Sequence, residues 1–229
     1  MLEREPEISK QEISGAVSPP LRSGDGEASG EAGGQTRRKV RSTAKSAGLI
    51  PYYQLKVTLV GSRPPIWRRL KVSGNLHLGR LHQVLQIAMG WEDVHLHLFA
   101  VGRTVYSPPD PELGFPQQNE RKVLLREVLT REKERLRYEY DFGDGWEHSI
   151  VVEKILPPEP GGGAPVCLAG KRSCPPEDCG GIFGYEQLLE ALRDPSHPDH
   201  RDLASWVGED FDPEAFDLKA VNSALARLR

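Results

Sequence analysis

The stretch Leu136–Val152 reads LRYEYDFGDGWEHSIVV, and its pattern decides the fold class of this 229-residue chain. Apolar and polar residues alternate on both sides of Gly143-Asp144-Gly145, which is the two-residue period of strands with one buried face. We therefore predict a β-hairpin. A three-residue loop with Gly145 in the left-handed conformation pairs Phe142 with Trp146 and gives one consistently apolar face. A two-residue Asp-Gly turn would mix polar with apolar side chains, so we prefer the three-residue loop.

The opposite face of this hairpin raises an electrostatic problem. In the preferred register Asp141 lies directly across from Glu147, and like charges opposed on a sheet are destabilising. We expect the pair to be neutralised by a metal ion, by protonation of one carboxylate, or by an arginine such as Arg68 or Arg172. The alternative is that both carboxylates extend into water at the hairpin tip.

Both sides of this hairpin carry further patterns of regular structure. Residues 53–59 alternate like a half-buried strand, and residues 95–106 alternate around Gly102 like a second hairpin. Between them, Leu78–Met89 carries an apolar stripe of helical period that Gly90 ends. Short helices are predicted in the last 45 or so residues, with Asp217 as the N-cap of the final one. The pattern predicts an α+β fold with a mainly antiparallel sheet and packed helices.

The composition changes near residue 49. Residues 1–48 contain no aromatic residue, seven glycines and seven serines, and cannot bury enough surface to offset the entropy of ordering. We predict a disordered tail over residues 1–48 and a single domain over residues 49–229. The tail segment Arg37–Lys45 carries five positive charges and no negative one. It is either a solvated linker or an arm that touches nucleic acid.

The overall composition excludes several classes of protein. The chain has a net charge of −3, which does not favour nucleic acid as a partner. It has no apolar run long enough to span a bilayer and no signal-peptide core, so we expect no membrane partner. Three cysteines, an odd number, argue against a disulfide framework and for a reducing cytoplasm.

The cysteines and the acidic residues near them form a candidate ligand loop. The spacing Cys167-x6-Cys174-x4-Cys179 lacks the paired Cys-x2-Cys of structural zinc sites. A single-metal site with Cys167, Cys179, a histidine and an acid is one interpretation, and small buried cysteines in a reduced protein are the other. Glu177-Asp178 precedes Gly180-Gly181, where backbone amides can approach a ligand closely.

Several segments together resemble the plasmid pRiA4b ORF-3-like family, in family order from about Tyr52 to Leu228. They are Ile66-Trp67-Arg68-Arg69, Leu81-His82, Met89-Gly90-Trp91, His95-Leu96, Tyr140–His148, Pro175–Gly181, Gly184-Tyr185, Trp206, Phe211-Asp212-Pro213 and Asn222. The resemblance implies a bacterial or archaeal protein, often encoded on plasmids or near mobile elements, without a settled biochemical activity. One departure is His77, where a helix-capping threonine or serine is expected.

The first functional hypothesis is a metal- or phosphate-binding acidic site of hydrolase type, with a divalent metal as its cofactor. His95 and His97 alternate along a predicted strand and would present two nitrogens to one ion. His148, which the preferred register sets opposite Tyr140, is either a further ligand or a hydrogen-bonded core histidine. The candidate metal ligands are His95, His97, His148, Cys167 and Cys179, and the candidate catalytic acids are Asp141, Asp144, Glu147 and Glu177.

The second hypothesis is a non-catalytic binding module for protein or nucleic acid, associated with mobile elements. Trp67-Arg68-Arg69, Trp91 and Trp146 offer aromatic rings for stacking and guanidinium groups for phosphate. Core packing is the alternative role of the tryptophans. Asp178, Gly180 and Gly181 complete the candidate ligand-binding residues under either hypothesis.

Overall fold

The structure, a computed structural model, describes residues 50–159, 163–208 and 210–228. The tail predicted over residues 1–48 lies outside the described residues. The strands are β1 Tyr52–Leu59, β2 Trp67–Ser73, β3 His97–Val101, β4 Thr104–Ser107, β5 Gln118–Asn119, β6 Arg135–Tyr140, β7 Trp146–Leu156 and β8 Val166–Lys171. The helices are α1 Leu78–Met89, α2 Leu125–Val128, α3 Gly181–Arg193, α4 His200–Val207 and α5 Leu218–Leu225, with 3-10 turns at Pro111–Leu113 and Glu120–Lys122.

The strands form one sheet in the order β5-β4-β3-β6-β7-β1-β2-β8. All neighbours are antiparallel except β4 and β5, which run parallel. This architecture confirms the predicted α+β class with a mainly antiparallel sheet. In the described part of the chain, no helix combines the length and the apolar character that crossing a bilayer requires.

Helix α1 covers the middle of the sheet because its apolar stripe faces inward. Leu81 and Leu85 are fully buried and belong to the same core cluster as Leu55 and Tyr138 on the sheet. The helix begins at His77, whose Nδ1 accepts a hydrogen bond from the Arg80 N–H at 3.1 Å. A histidine thus supplies the capping acceptor that threonine or serine supplies elsewhere.

The hairpin between β6 and β7 has a longer loop than we predicted. Tyr140 pairs with Trp146 and Tyr138 with His148, so the register with Phe142 opposite Trp146 and Tyr140 opposite His148 is wrong. Asp141 leaves the ladder because its backbone takes φ 56 and its N–H donates to the Leu96 carbonyl at 2.9 Å. Since the register differs by two residues, every side chain within β6 and β7 keeps its predicted face, and Gly145 is left-handed as predicted (φ 67). Phe142, which was predicted on the apolar face, lies in the loop and is exposed.

The new register also changes which carboxylates oppose each other. Glu139, and not Asp141, lies across from Glu147. Nη1 of Arg137 lies 3.0 Å from Glu139 and 3.5 Å from Glu147, so an arginine neutralises the pair. Of the two arginines we had named, Arg172 pairs with Glu214 and Arg68 contacts backbone carbonyls.

His148 lies in the core below this hairpin. The side chain is fully buried between Tyr138 and Trp91, whose ring is nearly perpendicular to the imidazole, and neither ring nitrogen has a hydrogen-bond partner among the described residues. Burial lowers the pKa of His148 from 6.5 to about 4. The imidazole is therefore neutral in the folded protein at neutral pH, whereas it takes up a proton below about pH 6.5 when the chain unfolds.

This difference predicts how stability depends on pH. The unfolded chain binds one more proton than the folded chain between pH 6.5 and about 4, so acid favours unfolding. Between pH 7 and pH 4, His148→Leu should lose about 3 kcal/mol less unfolding free energy than the wild type in urea titrations. His197→Gln, at a half-buried position on the loop between α3 and α4, is the control and should follow the wild type. Equal pH dependence in His148→Leu and wild type would contradict the assignment.

Candidate metal centre

Three segments that are distant in sequence meet at the tip of the β6–β7 hairpin. His95 comes from the loop before β3, Asp141 from the hairpin loop, and Glu177-Asp178 from the proline-rich loop before α3. The hydrogen bond from Asp141 N–H to the Leu96 carbonyl holds the first two segments together. Asp144 Oδ2 accepts a hydrogen bond from the Gly180 N–H at 3.1 Å, which attaches the third segment to the hairpin.

These segments bring three carboxylates around one imidazole nitrogen. His95 Nε2 lies 3.1 Å from Asp178 Oδ1, 3.6 Å from Asp141 Oδ2 and 3.8 Å from Glu177 Oε2. The ligand atoms of His95, Asp141 and Asp178 are all within 4.8 Å of one another. Donor atoms around one first-row metal ion lie about 3.0–3.4 Å apart when each bond is about 2.1 Å long. The distances from His95 Nε2 to the three carboxylates, 3.1–3.8 Å, begin within this range and extend about 0.4 Å beyond it.

Two buried atoms of the cluster have no hydrogen-bond partner among the described residues. They are His95 Nε2 and Glu177 Oε2, and the 3.1 Å approach of Nε2 to Asp178 lacks the alignment of a hydrogen bond. In the described part of the chain, no lysine or arginine forms an ion pair with Asp141, Glu177 or Asp178. Buried polar atoms without partners and clustered carboxylates without a cation are both unfavourable. A bound cation would relieve both.

Two aspartates at this centre adopt a backbone conformation that most residue types avoid. Asp141 has φ 56 and Asp178 has φ 57, in the left-handed region that non-glycine residues seldom occupy. Such conformations persist only where the surrounding structure enforces them, and they are common at binding sites. Here they turn two aspartates toward His95.

Tyr140 fixes one of the carboxylates from behind. Its hydroxyl donates to Glu177 Oε1 at 3.0 Å and accepts from the Val94 N–H at 3.1 Å, and the Glu92 N–H also donates to Glu177 Oε1 at 3.0 Å. Burial, followed by the nearby Glu177 carboxylate, raises the pKa of Tyr140 to about 12. Tyr140 therefore remains a hydrogen-bond donor to Glu177 across the physiological pH range. Because both hydrogen bonds go to Oε1, the other oxygen of Glu177, Oε2, remains directed at His95.

His97 belongs to a different cluster from His95, so the structure does not bring these two histidines to one ion. The His97 and His82 rings are stacked, with centroids 3.4 Å apart and planes within 3°. His97 Nε2 lies 2.9 Å from Glu120 Oε2, and His82 Nε2 lies 2.6 Å from Asp93 Oδ1. His95 had been predicted on β3 beside His97, but the strand begins only at His97.

The second cluster, which we call the His82 cluster, consists of His82, Asp93, His97 and Glu120, and its acids are already hydrogen-bonded to the histidine rings. Gln86 Nε2 donates to the Tyr138 hydroxyl, which contacts His82 Nδ1 at 2.8 Å, and the Asp93 N–H donates to Gln86 Oε1. Burial, together with the neighbouring His97 ring, lowers the pKa of His82. A metal ion at this cluster would have to displace existing hydrogen bonds, in contrast to the centre at His95.

The remaining predicted ligands and acids lie elsewhere. Asp144 joins two loops, Glu147 pairs with Arg137, and His148 is a core residue. Cys167 is buried on β8 and its Sγ donates to the Ala169 carbonyl, while burial raises the pKa of Cys179 to about 12, which keeps it a thiol. The acid–histidine clusters of the described residues contain no cysteine.

The predicted stacking residues are mostly internal. Trp146 is fully buried, and Trp91 is buried with its Nε1 donating to the Pro175 carbonyl. Arg68 is buried, and Arg69 forms a two-bond ion pair with Glu153. Trp67 is half-buried, with Lys56 and Arg69 above its ring.

Gly180 and Gly181 begin α3 with positive φ, and a Cβ at Gly181 would overlap the Asp144 carbonyl oxygen.

Sequence reasoning missed Tyr140, Asp93, His82 and Glu120 as partners of the histidines. Tyr140 was assigned only to the apolar face, and its hydroxyl gave no local signal. The alternation Asp93-x-His95-x-His97 is visible in the sequence and would have indicated Asp93. Glu120 lies in a loop whose contact with His97 depends on the position of the 3-10 turn.

The fold and this centre define an α+β protein with three acidic residues gathered around one histidine at a hairpin tip. The family described as "Plasmid pRiA4b ORF-3-like protein" matches residues 51–220, and the chain belongs to that family. It is 41% identical over 177 residues to "Uncharacterized protein y4hQ" of Sinorhizobium fredii, covering 76% of this chain and 91% of that protein. It also resembles the crystal structure of MM3350 from Methanosarcina mazei, a protein of unknown function. The TM-score is 0.68 at 39% identity, covering 75% of this chain and 98% of the other.

The close packing of α3 against the proline-rich loop that carries Glu177-Asp178 gives a stability prediction. A Cβ at Gly184 would overlap the carbonyl oxygen of Cys179, and a backbone atom cannot move aside as a side chain can. Gly184→Ala should lower the unfolding free energy by about 1–3 kcal/mol in urea titrations. Glu186→Ala, at an exposed position of the same helix, should change it by less than about 0.5 kcal/mol. Equal stability of the two variants would show that the loop is not packed in this way.

Proposed function

We propose that this protein binds one divalent metal ion through His95, Asp141 and Asp178, with Glu177 as a fourth donor. The single observation that carries the proposal is the convergence of three carboxylates on the buried, unpaired Nε2 of His95. One imidazole and several carboxylates form a mixed donor set that Mn²⁺ and Zn²⁺ both accept. A cation there would also balance the charges of the carboxylates.

We extend the proposal to metal-dependent hydrolysis. Asp178 is 71% exposed, so the centre is open to solvent on that side, as catalytic centres are and closed structural ones are not. A divalent ion supplies acidity to a bound water and polarises a substrate oxygen. Tyr140 orients Glu177 toward the ion, and the exposed side at Asp178 leaves room for water and substrate.

Metal binding can be tested with Asp→Asn variants, which remove the negative charge of a carboxylate and keep its shape. After chelator treatment, wild-type protein should bind one Mn²⁺ or Zn²⁺ in isothermal titration calorimetry, and its melting temperature should rise. Asp141→Asn and Asp178→Asn should each weaken binding at least about tenfold, because each removes an anionic donor. Protein purified without an affinity metal should also contain the ion by elemental analysis.

The His82 cluster provides matched controls. Asp93→Asn and Glu120→Gln make the same chemical change beside other buried histidines and should leave the affinity unchanged. Absence of metal binding by the wild type would reject the proposal. Loss of binding in the controls, with Asp141→Asn and Asp178→Asn unaffected, would move the site to His82 and His97.

Tyr140→Phe tests the supporting hydrogen bond. It removes the donor to Glu177 Oε1 and the acceptor of the Val94 N–H, so Glu177 is no longer held toward His95. Metal affinity should fall about 10- to 100-fold, as for other residues that orient metal ligands. Tyr106→Phe, a buried tyrosine on β4 outside both clusters, is the control for loss of a hydroxyl. An unchanged affinity in Tyr140→Phe would remove Glu177 from the donor set.

The alternative, a non-catalytic binding module, has weaker support. A base can stack only on an accessible ring, and of Trp67, Trp91 and Trp146 only Trp67 is not buried. Two cations, Lys56 and Arg69, already lie over the Trp67 ring, and Arg69 is paired with Glu153. The metal centre is therefore the function that we put forward.

A further inference from the structure

Arg68 is a buried guanidinium whose charge the surrounding protein compensates only in part. The residue lies on β2 and is 2% exposed. Its Nε donates to the Ala88 carbonyl at 2.7 Å, and Nη1 donates to the carbonyls of Trp67 and Lys171 at 2.9 and 3.0 Å. Nη2 makes no hydrogen bond to any described residue, although a guanidinium has five N–H donors to satisfy.

Among the residues that the structure describes, no carboxylate lies within 4.0 Å of the Arg68 guanidinium. The nearby thiols of Cys167 and Cys174 have pKa values raised by burial, so they carry no negative charge at neutral pH. Ala88 lies in the last turn of α1, where the helix dipole supplies only a partial negative charge. A buried cation without a full counter-charge is unfavourable, and an anionic ligand would complete the site.

A cavity of about 460 Å³ reaches Arg68. Its walls are mainly apolar and include Met89, Trp91, Phe211, Phe216 and Val221. The Phe216 ring stacks on the guanidinium, with its centroid 4.2 Å from Cζ, and Gly170 leaves room for that ring. The cavity has the size of small-molecule sites, and like them it combines apolar walls with a few polar and charged groups.

The charges at the cavity limit the class of ligand. Glu92, Glu177 and Asp217 also line it, and they would repel a phosphate dianion more strongly than a single carboxylate. We infer that this cavity binds a small organic acid, with its carboxylate on Arg68 Nη2 and its apolar body against Trp91 and Phe216. This inference does not rest on the proposed metal centre.

Benzoate is a suitable probe, and benzamide is its neutral counterpart of nearly equal shape. The chain has four tryptophans, so the indole N–H signals can be assigned by NMR with a Trp91→Phe variant. Benzoate should shift the Trp91 signal, leave that of the exposed Trp206 unchanged, and bind with a dissociation constant of about 1 mM. Benzamide and inorganic phosphate should each bind at least about tenfold more weakly.

Two variants locate the probe and one controls for surface charge. Arg68→Gln should abolish benzoate binding. Because Arg68 also holds three carbonyls and its loss can impair folding, Ala215→Phe is the second variant, since it fills the cavity from an exposed lining position and keeps the arginine. Arg69→Gln, which removes the neighbouring arginine paired with Glu153, should bind benzoate like the wild type.

Several results would overturn the inference. They are an unmoved Trp91 signal at saturating benzoate, equal affinity for benzamide or phosphate, and unchanged binding in folded Ala215→Phe. The titrations should be run on chelator-treated protein and repeated with Mn²⁺. Benzoate binding without metal, in protein that fails to bind Mn²⁺, would support the organic-acid site while rejecting the metal centre, so the two proposals fail separately.

Discussion

The turn of Asp141 out of the β-ladder is the local event on which the candidate metal centre depends. With φ 56, its N–H reaches the Leu96 carbonyl instead of a partner in the hairpin. This bond ties the hairpin tip to the segment that carries His95. The side chain then lies beside that histidine, and the loop widens to five residues, Asp141–Gly145. The strained backbone is held by these contacts and by the Gly143 N–H on Asp141 Oδ1 at 2.9 Å.

The two acid–histidine clusters show how similar residues can have different physical roles. Around His82 and His97, each acid has a short hydrogen bond to a ring nitrogen, and the network closes through Gln86 and Tyr138. Around His95, no acid forms a hydrogen bond with Nε2. Both His95 Nε2 and Glu177 Oε2 are buried without a hydrogen-bond partner among the described residues. Proximity of acids and histidines alone therefore does not indicate a metal site. The state of the hydrogen bonds distinguishes the two, because an ion needs free lone pairs.

The aromatic core links the candidate metal centre to the cavity at Arg68. Trp91 stacks on Tyr140, with centroids 5.0 Å apart, and donates to the Pro175 carbonyl in the loop that carries Glu177. The same ring forms part of the cavity wall. Glu177 also belongs to both sites, because its Oε2 lies 3.8 Å from His95 Nε2 and the residue lines the cavity at Arg68. Trp91 thus positions the loop that carries Glu177 from inside the protein.

The sequence by itself determined the α+β class, the antiparallel hairpins, the extent of α1 and the face on which each β6 and β7 side chain lies. These features follow from local periodicity and turn residues, which act over a few positions. It also indicated His95, Asp141, Glu177 and Asp178, because polar groups in turn-bounded segments are visible along the chain.

Only the tertiary structure decided which of these residues meet. It separated His95 from His97, because the strand begins two residues later than the alternation indicated. It placed Glu147 opposite Glu139 and beside Arg137, because the hairpin loop is two residues longer than predicted. It also decided between the two roles of His148, which is a core residue. It also brought Tyr140 to Glu177 across 37 residues of sequence. A register shift of two residues preserves every face of a strand but changes every cross-strand partner, so periodicity alone cannot determine a site built from contacts between segments.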